Sequence, residues 1–380
     1  AFVARAAVTQ LLLPGPLGSS FQVLEQPADV GVVRYRHDID KKTSIGMIAT
    51  SRHGDEYAND VAGVDARWHS GEHTLSSQFL RSSSRYPDAV DVDDHDPSGN
   101  AWRAGYEFSG KAWSFETFHE DVDPGFRADL GFMGRVGYET SLVGAGHAWF
   151  GEKGATFTRI GAYGDYDVTH RSDGQLLERE WEGELTFNGP LQSHMGLHGM
   201  ARERFWEGEL FDESYWHVFG NFTPRSGMQF GASVRMGPQI DLQAARRGHG
   251  RYGDIWANVS FGLGYSVEFD LFRQDLLRDG DTAFAATVFD TRFAWQIDPR
   301  QRLRIALQGS RVDMDPSLYV DPVNRHSRDL AAQLIYSYRV NPRTALYAGG
   351  TLGGFLDDEN PTFFNSSRGL FLKLSYGWQP

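Results

Sequence analysis

The segment from Leu370 to Trp378 alternates without a break. Leu370, Leu372, Leu374, Tyr376 and Trp378 fall on one side, and Phe371, Lys373, Ser375 and Gly377 fall on the other. An extended chain points successive side chains to opposite faces, so this is a β-strand with one apolar and one mixed face. A strand whose apolar face ends in aromatics suits a bilayer, with lipid on one side and water on the other.

The same period recurs upstream. Leu303, Ile305 and Leu307 oppose Arg302, Arg304, Ala306 and Gln308. Residues 330–340 set Leu330, Ala332, Leu334, Tyr336, Tyr338 and Val340 against Gln333, Ser337 and Arg339. Residues 287–297 set Phe289, Phe293, Trp295 and Ile297 against Asp290, Arg292 and Gln296. From Ile255 to Leu271 one parity persists too long for a single span, which predicts a hairpin at Gly262-Leu263-Gly264. Short Pro- and Gly-bearing turns at 189–190, 223–227, 298–300 and 341–343 alternate with longer polar segments at 206–213, 237–251, 313–327 and 354–366. Upstream, turns near Asp40, Gly71, Gly110 and Gly151–Gly154 alternate with segments 53–57, 84–99 and 120–134. Outer-membrane barrels have short periplasmic turns and longer external loops, so the short set is placed in the periplasm. The expected fold is all-β: a transmembrane antiparallel up-and-down outer-membrane β-barrel of about 18–20 strands. Residues 1–29 form an N-terminal segment or a first strand, and 30–380 the barrel; residues 1–13 alternate poorly.

Composition narrows the alternatives. No stretch approaches the roughly 18 apolar residues of a spanning helix. With no Cys, disulfides, thiolate metal sites and covalently attached haem are excluded. A net charge of −13 argues against a nucleic-acid partner. Ala1-Phe2-Val3-Ala4-Arg5 is not a signal peptide, so a secretion signal is expected to lie upstream or to have been removed.

Ser367, Gly369, Leu372 and Leu374 fit the C-terminal pattern by which bacterial outer-membrane barrels are recognised for assembly, which makes Gly369, Leu372, Leu374, Tyr376 and Trp378 the candidate assembly signal. Three further segments carry a family resemblance: Arg34-Tyr35-Arg36-His37-Asp38 with Thr43–Thr50, Asp123–Phe132, and Gly369–Tyr376. With them the chain resembles the C-terminal barrel domain of a bacterial domain-of-unknown-function family whose members carry an N-terminal carbohydrate-binding-module-like domain. The resemblance covers most of residues 30–380. It implies a barrel and saccharide-related cargo, and it carries over no functional residues. The family's carbohydrate-module region and the first part of its barrel have no counterpart here, which reads as a fragment or a shortened relative.

No P-loop, zincin or nucleophile-elbow motif is present, and no catalytic residue is assigned. By parity the inward face carries Arg34, Arg36, Arg103, Glu107, Glu116, Glu182, Glu184, Arg235, Glu268, Asp270, Arg292, Arg304 and Arg339. These residues either brace the wall as cross-strand pairs or line a polar channel that orients a charged or sugar-like solute. Asp91, Asp93, Asp94 and Asp96 are the one candidate metal set, with hard oxygens suited to Ca²⁺; the alternative is a solvated loop. No other cofactor is expected. Arg246–Arg251 is a basic run placed in an outer loop, suited to lipopolysaccharide phosphates or simply a mobile charged loop tip. Segment 120–134 holds Phe126 and Phe132, which predicts that it folds back on the lumen wall or covers a neighbour; the alternative is local packing at the rim. The expected partners are outer-membrane lipid and lipopolysaccharide, the barrel-assembly machinery, and an envelope protein or lumen plug. The leading function is porin-like passage or accommodation of a solute; the alternatives are a structural barrel that anchors or sheathes an envelope complex and, less favoured, an outer-membrane hydrolase.

Overall fold

A computed structural model describes residues 1–319, 322–362 and 364–377. The first half contains β1 (Phe2–Ala6), β2 (Thr9–Pro14), β3 (Ser19–Leu24), β4 (Ala28–Asp38), β5 (Thr43–Gly54), β6 (Ala58–Ser70), β7 (His73–Arg85), β8 (Ser98–Ser109), β9 (Trp113–Val122) and β10 (Tyr138–Phe150). There follow β11 (Arg159–Arg171), β12 (Leu176–Gly189), β13 (Ser193–Trp206), β14 (Glu209–Arg225), β15 (Met228–Asp241) and β16 (Arg246–Ser260). The last are β17 (Tyr265–Arg278), β18 (Asp281–Gln296), β19 (Gln301–Met314), β20 (His326–Asn341), β21 (Thr344–Leu356) and β22 (Phe364–Tyr376).

Twenty strands form one sheet in which each strand from β4 to β22 pairs with the next in sequence. β1 pairs with β4, from Phe2 opposite Val32 to Ala6 opposite Ala28. β2 and β3 form a separate hairpin inserted between them. Residues 1–27 therefore hold three short strands, of which only β1 joins the large sheet, and β4 begins at Ala28.

The predicted turn at Gly262–Gly264 is present, with Leu263 and Gly264 both at positive φ. Two segments read from sequence as long polar loops are instead strand. At 206–213 the connection is only Glu207-Gly208, with φ 44° and 91°. Positive φ at both central residues is the type I′ geometry whose twist matches the flanking strands. At 237–251 the ladder between β15 and β16 runs out to Asp241 opposite Arg246, leaving a four-residue turn. The Arg246–Arg251 run accordingly lies within β16, and Arg247 pairs with Asp212 at 3.2 Å.

The chain divides into two compact units: 1–148 with 162–183 and 202–210, and 149–161 with 184–201 and 211–380. The first unit holds two buried apolar clusters, one around Leu11, Leu13, Leu24, Tyr57, Tyr86 and Val90, the other around Val61, Ala101, Val122, Phe126 and Val136. In the second unit Arg278 and Asp241 form a buried ion pair at 3.1 Å, and Arg278 also donates to the Leu318 carbonyl.

Candidate functional site

Strand register sorts side chains into two faces, because directly opposed residues share a face. In the first unit one row runs Tyr35, Met47, Val64, Phe79, Trp102 across β4 to β8. All five are exposed. An exposed apolar row of this length costs free energy in water and none in lipid. The opposite face carries Arg34, Arg36, Asp65, Gln78, Arg103, Glu107, Glu116 and Glu120. Arg34 makes a two-pronged contact with Asp65, one arm at 2.9 Å. Arg103 lies 3.4 Å from Glu120 and stacks 3.9 Å over the Phe118 ring. The Tyr138 hydroxyl donates to Glu120 and that of Tyr163 to Glu116, both at 2.6 Å.

The second unit repeats the division. Val267, Phe293, Ile305 and Leu334 make one apolar row across β17 to β20. Glu268 opposes Arg292 and Asp270 opposes Asp290 on the other face. Arg292 bridges Asp290 at 3.0 Å and Glu268 at 3.7 Å. Arg235 sits between the Tyr215 and Tyr252 rings, 5.2 and 5.1 Å from their centroids. On β22 the apolar side chains of Leu370, Leu372, Leu374 and Tyr376 are exposed and Gly369 opposes Thr351 on the mixed face, whereas Trp378 lies outside the described residues.

The most constructed feature is the connection between β9 and β10, residues 123–137. It folds back over the charged face of its unit. Phe126 is wholly buried against Val61, Ala101, Val122 and Val136. Val61, Ala101 and Val122 share parity with Asp65, Arg103 and Glu120, which fixes the face the loop covers. Gly99 and Gly125 permit the approach: a Cβ on Gly125 would run into the Ser98 backbone, and one on Gly99 into that of Phe126 and Gly125.

A polar network anchors the same loop. The Asp129 carboxylate accepts from the hydroxyls of Tyr57 at 2.7 Å and Tyr86 at 3.0 Å. Its backbone N–H donates to Asn59 Oδ1 at 3.0 Å, and Asn59 Nδ2 donates to Ser84 Oγ at 2.8 Å and to the Arg127 carbonyl at 3.1 Å. The Arg127 N–H donates to Ser82 Oγ at 2.8 Å. Arg52, itself buried, donates to the Gln10 carbonyl at 3.1 Å, tying β5 to the β2–β3 hairpin. Burial raises the Asp129 pKa against the opposing pull of the two tyrosine hydroxyls, Arg52 and Arg127. Burial, with Asp129 beside them, also pushes both tyrosines up. The hairpin closes over this network through Leu11, Leu13 and Leu24, and Gln22 reaches the Ala89 carbonyl at 2.6 Å.

A scan against family models matches none, and no curated protein matches the chain in sequence. Solved structures match in fold. The siderophore receptor PirA from Acinetobacter baumannii aligns with TM-score 0.52 and 9% identity, over 98% of this chain and 73% of the receptor. The ferric citrate transporter FecA in its unliganded form aligns with TM-score 0.52 and 11% identity, over 100% of this chain and 71% of the transporter. An anion-selective porin from Comamonas acidovorans aligns with TM-score 0.40 and 11% identity, over 76% of this chain and 90% of the porin. The fold is a transmembrane, antiparallel, up-and-down outer-membrane β-barrel. With strands of this length and exposed apolar rows, the chain is an integral protein of the bacterial outer membrane.

Register places the charged residues expected inside on a common face within each described ladder: Arg34, Arg36, Arg103, Glu107 and Glu116 in the first unit, and Arg235, Glu268, Asp270, Arg292, Arg304 and Arg339 in the second. Glu182 and Glu184 lie on β12 opposite in parity to the exposed Trp181 and Leu185. The calcium expectation is not met by the geometry. Among the described residues no three Asp, Glu or His side chains converge as a metal site. Asp96 lies 3.4 Å from Arg85, Asp94 accepts from the Asp96 N–H at 3.0 Å, and the Asp91 N–H donates to Gln22. The carboxylates of Asp94 and Asp96 are thus engaged within their own segment, and with Asp91 and Asp93 they form no converging set. The Asp129 network escaped sequence reading because its members come from strands and loops tens of residues apart. The one available signal was Phe126 in a segment otherwise written as an exposed loop.

Proposed function

We propose that the chain is a porin-like outer-membrane barrel that passes or accommodates a solute, with the charged strand face of each unit turned to water. The observation that carries this reading is the 123–137 loop. It is held by a buried phenylalanine and a carboxylate–tyrosine network against the charged face, a fixed element beside the polar side of the sheet. Polar lining with fixed charges of both signs selects solutes by charge and hydrogen bonding. With the short turns read as periplasmic, loop 123–137 and the β2–β3 hairpin face the cell exterior. Gly369, Leu372, Leu374 and Tyr376 then present the C-terminal strand to the assembly machinery, and lipopolysaccharide surrounds the outer rim. A saccharide-related cargo rests on the family resemblance alone.

A second reading has its own support. The β2–β3 hairpin buries Leu11, Leu13 and Leu24 in a closed cluster, as a plug or docking element does. The barrel then anchors or sheathes an envelope complex. Planar-bilayer recording separates the two. Discrete open-channel steps are expected for a porin, and a barrel that stays silent while retaining a fixed protein partner overturns that role.

A further inference from the structure

We propose that the charged face of β19 to β22 is a binding site for a small oxyanion, a carboxylate- or phosphate-bearing solute. The proposal deepens the reading of this face as solvent-filled and rests on it. The chain as a whole is acidic, at −13. This block is not. Three consecutive register rows cross it: Arg302, Ser337, Tyr347, Lys373; Arg304, Ile335, Gly349, Phe371; and Ala306, Gln333, Thr351, Gly369. None contains Asp or Glu. Arg339 adds a fourth cation one position further along the same face of β20.

The cations are also unspent. Several arginines elsewhere on the charged faces are paired: Arg34 with Asp65, Arg103 with Glu120, Arg202 with Glu180 at 3.4 Å, and Arg292 with Asp290 and Glu268. Among the described residues the side chains of Arg302, Arg304, Arg339 and Lys373 have no carboxylate within ion-pairing distance. Arg302 and Arg304 are two positions apart on one strand, roughly 7 Å, so each raises the cost of the other's charge unless an anion lies between them.

Concavity supplies the second observation. A cavity of about 550 Å³ opens on this face, lined by Arg302, Arg304, Arg292, Gln308, Gln333 and Thr351 among others. Two guanidinium forks suit the planar or tetrahedral oxygens of a carboxylate or phosphate. Gln308, Gln333 and Thr351 provide donors and acceptors for the rest of a small polar solute. Glu268 and Asp290 line the β17–β18 side of the same cavity, where Arg292 pairs with both, so an anion is favoured on the Arg302–Arg304 side.

The test is equilibrium binding by calorimetry on the full folded chain in detergent at low salt, with inorganic phosphate and, separately, citrate as probes. Saturable binding is expected for at least one probe. It should weaken at least tenfold in Arg302→Ala/Arg304→Ala, weaken less in Arg302→Lys/Arg304→Lys, and persist in Arg171→Ala, whose side chain pairs with Asp173 elsewhere. Heat-modifiable mobility on gels verifies that each variant is folded. No saturable binding of either probe, or equal binding in the double alanine variant, overturns the site. Binding that survives in a barrel that never conducts leaves the anion site standing and removes the passage reading. Conductance without binding does the reverse.

Discussion

Replacing Phe126 by alanine isolates the docking of loop 123–137. The side chain is fully buried, and its neighbours Val61, Ala101, Val122 and Val136 are each at most 7% exposed. Emptying such a site costs about 3–5 kcal/mol, from lost transfer free energy and the cavity left behind. The ladders of β6 to β9 do not depend on Phe126, so the loss falls on the docked loop rather than on the sheet. At about 1.4 kcal/mol per decade that shifts the docking equilibrium by at least a hundredfold. Hydrogen exchange on the folded protein reads this directly. The amides of Phe126, Gly131 and Gly137 bond to the carbonyls of Asp123, Ala128 and Val122 at 3.1, 2.9 and 2.9 Å. Their protection should fall by about two decades or more in Phe126→Ala, while amides within β6 to β9 keep theirs. Liposome swelling with small solutes should accelerate in parallel. Unchanged protection of 123–137 would refute the claim that this side chain pins the loop.

Further outcomes follow from the same contacts. Asp129 has a raised pKa when docked, so the docked loop holds its proton more readily than a free one. Docking therefore strengthens as pH falls from above that raised value toward the ordinary aspartate range near ~3.9, and is level outside the window. Exchange of loop amides against pH should show this slope in the native chain and lose it in Asp129→Asn; a slope that survives the substitution removes Asp129 as its cause. Gly125→Ala should undock the loop because the new Cβ meets the Ser98 backbone, whereas Gly131→Ala, with its nearest neighbour 3.5 Å away, should be mild by the same exchange measurement. Met47→Arg or Val234→Arg, on exposed apolar rows, should destabilise the folded barrel in lipid by about 2–4 kcal/mol if the site lies near the bilayer midplane. Denaturant unfolding in vesicles that shows no loss would place those rows out of lipid.

Much of the fold was legible because a bilayer imposes a strict period of two. The alternation at Leu303, Ile305 and Leu307 is the same set that register stacks against Phe293 and Leu334. Legibility failed where strands leave the bilayer. Near Asp212 and Arg246–Arg251 both faces meet water, alternation disappears, and the ladder is indistinguishable in sequence from a polar loop. Type I′ turns at Glu207-Gly208 and Asp279-Gly280 need two residues, too few to stand out. The N-terminal residues gave no clear strand because they build three short ones, two of which pack on loops rather than face lipid. The charged face could be read by parity alone. Which cations are paired, and that Asp129 meets Tyr57 and Tyr86, depends on register between distant segments.

One strand face meets lipid and the other meets water. The chain has no cysteine, so single cysteines along β19 report on it without background. In protein reconstituted into lipid bilayers, a membrane-impermeant thiol reagent should label Arg302→Cys, Arg304→Cys, Ala306→Cys and Gln308→Cys. Leu303→Cys, Ile305→Cys and Leu307→Cys should stay protected. Equal labelling of both sets, or the inverse pattern, would show that the two faces are not divided between lipid and water.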